Sequence, residues 1–160
     1  TRLVSDWSSD VCSSDLIISG DSESINTFQL FLKEKKVKSI PLKVSAPFHC
    51  SLMKPAAESM SEKIKKTNLA NPKFDIISNV KALPVNDAKT IKNLLIDQIF
   101  NTVKWRESII NISENGASNF IEIGPGKVLT GMVKRTLTNV KSFSINSIAD
   151  IKNLKDEFKK

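Results

Sequence analysis

Strand-length apolar runs at 16–19, 39–45, 74–78, 120–123 and 142–146 alternate along this chain with stretches whose apolar residues recur every three or four positions. The helical stretches fall at 25–36, 52–64, 87–100, 105–112 and 127–137, with a short one from Ser147 onward. A chain that switches repeatedly between a period of two and a period of 3.6 is expected to fold as α/β. In the first helix Ile25, Phe28 and Leu32 share a face, with N-cap oxygens expected from residues 22–24. A second helix starts close behind His49, since Pro55 is tolerated only in a first turn, where its missing N–H would have no intrahelical partner. The run 74–78 is expected to be a buried strand, and Ile91, Leu94, Leu95 and Ile99 are expected to face inward from the third helix. Gly124-Pro125-Gly126 reads as a tight turn between a strand and a helix that carries Val128, Leu129, Met132 and Val133 on one face.

The first fifteen residues break this pattern. They hold three Asp, five Ser and no Lys, whereas the remainder is rich in Lys, Ile and Asn. Residues 6–16, DWSSDVCSSDL, resemble the conceptual translation of a sequencing-library adapter, so residues 1–15 are read as a non-native scar and excluded from the fold. Removing them takes away Arg2 and three Asp and leaves a net charge of +9, against +7 for the whole chain. The native protein is then expected to begin upstream, with this chain as its carboxy-terminal part.

Several function classes are excluded. With 40% hydrophobic and 26% charged residues over 160 positions, disordered and disulfide-scaffold classes do not fit. No apolar run approaches the roughly 20 residues that span a bilayer. Two cysteines, Cys12 and Cys50, and one histidine cannot assemble a four-ligand Cys/His zinc site, so no metal is expected, and the cytoplasm is the default compartment. The positive charge is lysine on helix surfaces, with only Arg106 and Arg135 beyond the scar, and it comes without aromatic stacking platforms. Nucleic-acid binding is not indicated. A lysine-rich surface suits an acidic protein partner or a phosphate-bearing molecule, and equally a plain solvated face.

Chemistry is concentrated in residues 45–51, SAPFHCS, where the chain's one imidazole sits between a strand end and a helix start. That position fits a general base, His49, and also a structural histidine. Cys50 adjoins it, but adjacent side chains point apart, so Cys50 reads better as a small buried hydrophobe than as a nucleophile. No Gly-x-Ser-x-Gly occurs in the chain. Gly124-Pro125-Gly126-Lys127 lacks the spacing of a P-loop or a dinucleotide fingerprint, which favours a conformational role over phosphate binding.

ISG at 18–20, PLKVSAPFHCSLMKPAAE at 41–58, SNV at 78–80, QIFNTVKW at 98–105 and IEIGPGKVLTGMVKR at 121–135 together resemble the malonyl-CoA:acyl carrier protein transacylases, in their freestanding bacterial form. The resemblance implies the carboxy-terminal part of a hydrolase-like parallel-sheet core, residues 44–160, joined to the end of an inserted ferredoxin-like subdomain, residues 16–43. It implies malonyl transfer from malonyl-CoA to the phosphopantetheine thiol of acyl carrier protein through a malonyl-serine intermediate, in fatty acid biosynthesis. His49 matches the family's general base. Gln98 matches the residue whose main-chain carbonyl receives the other ring N–H, and Phe48 is placed at the acyl pocket. No bound cofactor is implied; malonyl-CoA is a substrate and acyl carrier protein the partner. The family's nucleophilic serine and malonyl-binding arginine have no counterpart here, so the chain alone is expected to be inactive. Thr102 stands where the family often has proline. The alternatives are an acyltransferase domain of a polyketide synthase and a non-catalytic remnant that binds acyl carrier protein.

Overall fold

Asp21 opens the first helix. Its carboxylate accepts the Ser24 amide at 2.9 Å, so the cap precedes the serines expected to supply it; a carboxylate adds charge to the hydrogen bond at the positive end of a helix. The computed structural model describes residues 2–6 and 16–158. Helix α1 (Ser22–Glu34) buries Ile25 and Leu32 and packs against a three-stranded antiparallel sheet ordered β2-β1-β3. Those strands are β1 (Arg2–Asp6), β2 (Leu16–Ser19) and β3 (Lys38–Leu42). β1 is paired on both sides, Leu3 standing opposite Ile18 and Pro41. It lies inside the stretch excluded above, where no strand was expected; residues 7–15, Cys12 among them, lie outside the described residues. β3 ends at Leu42, short of the expected 45, because the Val44 amide turns back to the Leu42 carbonyl at 3.0 Å.

A short 3-10 turn (Ser51–Met53) leads into α2 (Lys54–Lys66), with Pro55 in its first turn as expected. α2 packs along α3 (Ala88–Phe100). Lys92 Nζ of α3 donates to the Lys65 carbonyl of α2 at 2.9 Å, and the Ala88 amide at the start of α3 donates to Asn71 Oδ1, in the loop after α2, at 2.9 Å. The expected buried strand at 74–78 is corrected to the two-residue β4 (Ile76–Ile77), paired antiparallel with an unforeseen β5 (Pro84–Val85). Phe74 is 79% exposed. Within α3, Leu94 is buried as expected, but Leu95 points outward.

Residues through Ser108 form one compact unit and those from Ile109 a second, the division falling within α4 (Trp105–Glu114). In the second unit, β6 (Asn119–Ile123) and β7 (Lys141–Ile145) pair in parallel, Ile121 opposite Phe143. Parallel neighbours need a crossover, supplied here by α5 (Val128–Thr136), which packs on both strands. α6 (Ile148–Glu157) packs on β7, where Phe143 and Phe158 approach to 5.8 Å between ring centroids. The face expected on α5 is corrected: Thr130 and Val133 are buried, whereas Val128 and Leu129 are exposed. Thr130 turns inward because a strand carboxylate holds it there. The whole is α/β, with antiparallel pairs in the first unit and a parallel pair in the second.

Candidate active site

The end of α3 creates a need that His49 meets. α3 closes at Phe100, so the carbonyl of Gln98 has no amide four residues on within the helix and is one of its orphan acceptors. His49 Nδ1 lies 2.8 Å from that oxygen. A carbonyl only accepts, so Nδ1 carries the proton, and in the neutral ring Nε2 presents a lone pair. The negative end of the helix dipole reinforces the contact. The two residues singled out at 49 and 98 are therefore brought together, across 49 positions of sequence.

The loop that delivers the ring is held in an unusual form. His49 has φ 61°, in the left-handed region that glycine normally occupies. Its neighbour Cys50 donates its thiol to the Pro47 carbonyl at 3.1 Å, spanning Phe48 and His49. Cys50 is half-buried with a polar partner, which corrects the expected buried hydrophobe. The two adjacent side chains use different acceptors, so they form no dyad with one another. Phe48 is 37% exposed on the same loop. The turn Ser51–Met53 behind it contacts both α2 and α3, and the Met53 amide closes on the Cys50 carbonyl at 3.0 Å.

The glycine turn after β6 is built differently. Gly124 and Gly126 have φ of 139° and 100°, values that carry a penalty for any residue with a Cβ. The Gly126 amide donates to Asn146 Oδ1 at 2.6 Å. Glu122 reaches from β6 to the start of α5: Oε1 accepts the Leu129 amide at 3.2 Å, and Oε2 accepts the Thr130 amide at 2.8 Å and its hydroxyl at 2.6 Å. A carboxylate of the chain thus fills the position where a phosphate would meet a helix N-terminus, in keeping with a conformational role for 124–127. The Thr130 hydroxyl and amide hold the Glu122 carboxyl below its ordinary range. Asp150 accepts the amides of Asn146 and Ser147 and the Ser147 hydroxyl, each at 2.9 Å, and is lowered in the same direction, chiefly by Asn146. The Ser147-x-x-Asp150 capping box was readable in the sequence from its spacing; the reach of Glu122 to residues 129 and 130 was not.

A family model of the acyl transferase domain matches residues 11–160. The chain is 38% identical over 136 residues to the malonyl CoA-acyl carrier protein transacylase of Bacillus subtilis (strain 168), covering 84% of this chain and 43% of that protein. The crystal structure of malonyl CoA-acyl carrier protein transacylase from Clostridium perfringens superposes with a TM-score of 0.90 at 26% identity, over 99% of this chain and 57% of that one. A malonyl-transacylase solved in complex with its type II PKS acyl-carrier protein superposes with a TM-score of 0.88 at 28% identity, over 97% and 58%. The chain spans less than half the length of the curated relative it matches. No helix among the described residues is long and apolar enough to cross a membrane.

Proposed function

The chain belongs to the acyl transferase domain family, and from that premise we propose that its parent protein transfers malonyl groups from malonyl-CoA to the phosphopantetheine thiol of an acyl carrier protein, in fatty acid biosynthesis. The observation that carries the reading is the His49 Nδ1–Gln98 carbonyl hydrogen bond. It supports a fixed tautomer with Nε2 left to take a proton from a nucleophile, without a buried carboxylate behind the ring. Names of relatives support malonyl as the acyl group and acyl carrier protein as acceptor.

In this mechanism His49 removes the proton of a serine hydroxyl as its oxygen attacks the malonyl thioester. The tetrahedral intermediate expels coenzyme A as thiol, His49 returning the proton to the departing sulfur. The same imidazole then deprotonates the pantetheine thiol, whose sulfur takes the acyl group as the bond to the serine oxygen breaks, and His49 returns that proton to the serine oxygen. Residues 1–160 contain no Gly-x-Ser-x-Gly, so the serine belongs to the missing part of the parent. We read residues 44–160 as the carboxy-terminal part of its hydrolase-like core and 16–43 as the end of a ferredoxin-like insert. Phe48, beside the base, narrows the acyl pocket. The reaction needs no bound cofactor.

The test is mass spectrometry of the parent and of this chain after incubation with malonyl-CoA. The parent is expected to gain one malonyl group on a serine and pass it to carrier protein, while this chain gains none. A malonylated 160-residue chain, or a parent that stays unmodified, sinks the reading.

A further inference from the structure

Helix α3 stops at Phe100, and Asn101 after it is extended, at φ −107° and ψ 159°. Nothing in the covalent chain requires the stop. Residue 102 is a threonine, and if the helix ran on its amide would return to the Gln98 carbonyl. Asn101 is held in the extended form by its own side chain. Its amide and its Nδ2 both donate to the Asp97 carbonyl, at 3.0 and 2.9 Å, which occupies both lone pairs of that oxygen. The chain beyond is pinned where the Lys104 amide donates to the Asn79 carbonyl at 2.7 Å.

The same cap closes α4 with a different outcome. There Asn115 donates through its amide and Nδ2 to the Asn111 carbonyl, at 3.1 and 2.8 Å. Gly116 follows at φ 96° and the chain folds back, so that the Ala117 amide takes the Ile112 carbonyl at 3.2 Å. Ile112 holds the place in α4 that Gln98 holds in α3, one residue beyond the carbonyl that the asparagine caps. In α4 that oxygen meets the chain's own amide; in α3 it meets the ring of His49 at 2.8 Å.

We propose that Asn101 is a positioning residue for the transfer reaction: by ending α3 in the extended form it keeps the Thr102 amide off the Gln98 carbonyl, and this oxygen then fixes the His49 ring with its proton on Nδ1. The inference rests on the general-base role proposed above for His49. Alanine at 101 removes the Nδ2 donor and is the best helix former of all residues, so α3 runs on and the Thr102 amide competes with the ring for one oxygen. Proline at 102 closes that route by other means, since it has no N–H and disfavours helical angles at the residue before it. Threonine at 101 keeps a donor, as Thr67 does at the end of α2, where its hydroxyl reaches the Lys63 carbonyl at 2.8 Å.

His49 is the one histidine of the chain, so NMR of the 160-residue chain reads its ring nitrogens directly. The expected result is the Nδ1–H tautomer in the unaltered chain, a mixture of tautomers in Asn101→Ala, and a return to Nδ1–H in Asn101→Ala/Thr102→Pro and in Asn101→Thr. In the parent, Asn101→Ala is expected to lower kcat for malonyl transfer about tenfold with KM for both substrates held, and the same two changes to recover it. Asn115→Ala, which removes the matching cap of α4, is expected to leave tautomer and kcat where they were. An Nδ1–H ring and a kcat unmoved by Asn101→Ala overturn the inference and leave the base standing. So does a failure of both rescues in variants that keep the thermal transition, or an equal loss in Asn115→Ala. An Nε2–H ring in the unaltered chain removes the base reading and this inference with it.

Discussion

Two of the loops that lead from a strand to a helix, at 47–50 and 124–126, solve the bend in opposite ways. At 124–126 the positive φ values fall on glycines, and the polar groups nearby are engaged locally, Glu122 with Thr130 and Asn146 with the Gly126 amide. At 47–50 the positive φ falls on His49, which reaches out of its own loop to a helix end and keeps one ring nitrogen for other use. The glycine turn spends its hydrogen bonds on holding shape. The histidine loop accepts backbone strain to aim a side chain, the pattern expected where a residue acts on a ligand.

The comparison breaks first at the ring. His49→Ala in the parent is expected to lower malonyl transfer by about 100-fold or more; steady-state rates near the parent's would make the loop structural like its counterpart. Next to it, Phe48→Ala is expected to raise the relative kcat/KM for branched malonyl groups by about tenfold, and an unchanged ratio removes Phe48 from the pocket. The strained conformations give a reciprocal pair. Gly126→Ala is expected to cost about 1 kcal/mol or more, read from chemical denaturation, whereas His49→Gly is expected to be about 1 kcal/mol more stable than His49→Ala. Equal stabilities in both pairs would mean that neither loop stores strain.

A smaller effect comes from pH. Glu122 and Asp150 sit below their ordinary values of 4.5 and 3.8 because native hydrogen bonds favour the carboxylates. Their contribution is fully present above those ordinary values and is lost as pH falls through the lowered ones, since the unfolded chain then binds protons more readily than the native one. The second unit is thus expected to lose stability below about pH 4, and Glu122→Gln to flatten that loss; an identical acid profile for the variant refutes the clamp. The smallest effect is expected at Gln98. Its acceptor is a main-chain carbonyl, so Gln98→Ala is expected to change transfer by less than about threefold, and a loss comparable to that of His49→Ala would mean that the side chain, not the backbone, serves the ring.

Much was legible before the fold was known. Apart from the short β4–β5 pair, the order of elements from α1 to α6 follows the switches between strand and helix periods, because those periods record which faces are buried. Where the reading failed, burial depended on partners far off in sequence. Phe74 and Leu95 are apolar and belong to no buried face, and Thr130 displaced Val128 from the inner face of α5 because Glu122 binds its hydroxyl and amide. Asp21 took a cap expected from the serines after it, a shift of a single residue in an element boundary.

By itself the sequence determined the α/β order, the glycines where a Cβ would be strained, and a lone imidazole ahead of a helix, since each is a local property of residue type and spacing. What that imidazole holds was implied by the family resemblance and not by residue type or spacing, and the tertiary structure brings the imidazole and its partner together. Its partner is the unpaired carbonyl of a helix end 49 residues away. A main-chain oxygen leaves no mark on residue identity, so the pairing exists only once α3 has stopped where it does and the loop before α2 has closed against it.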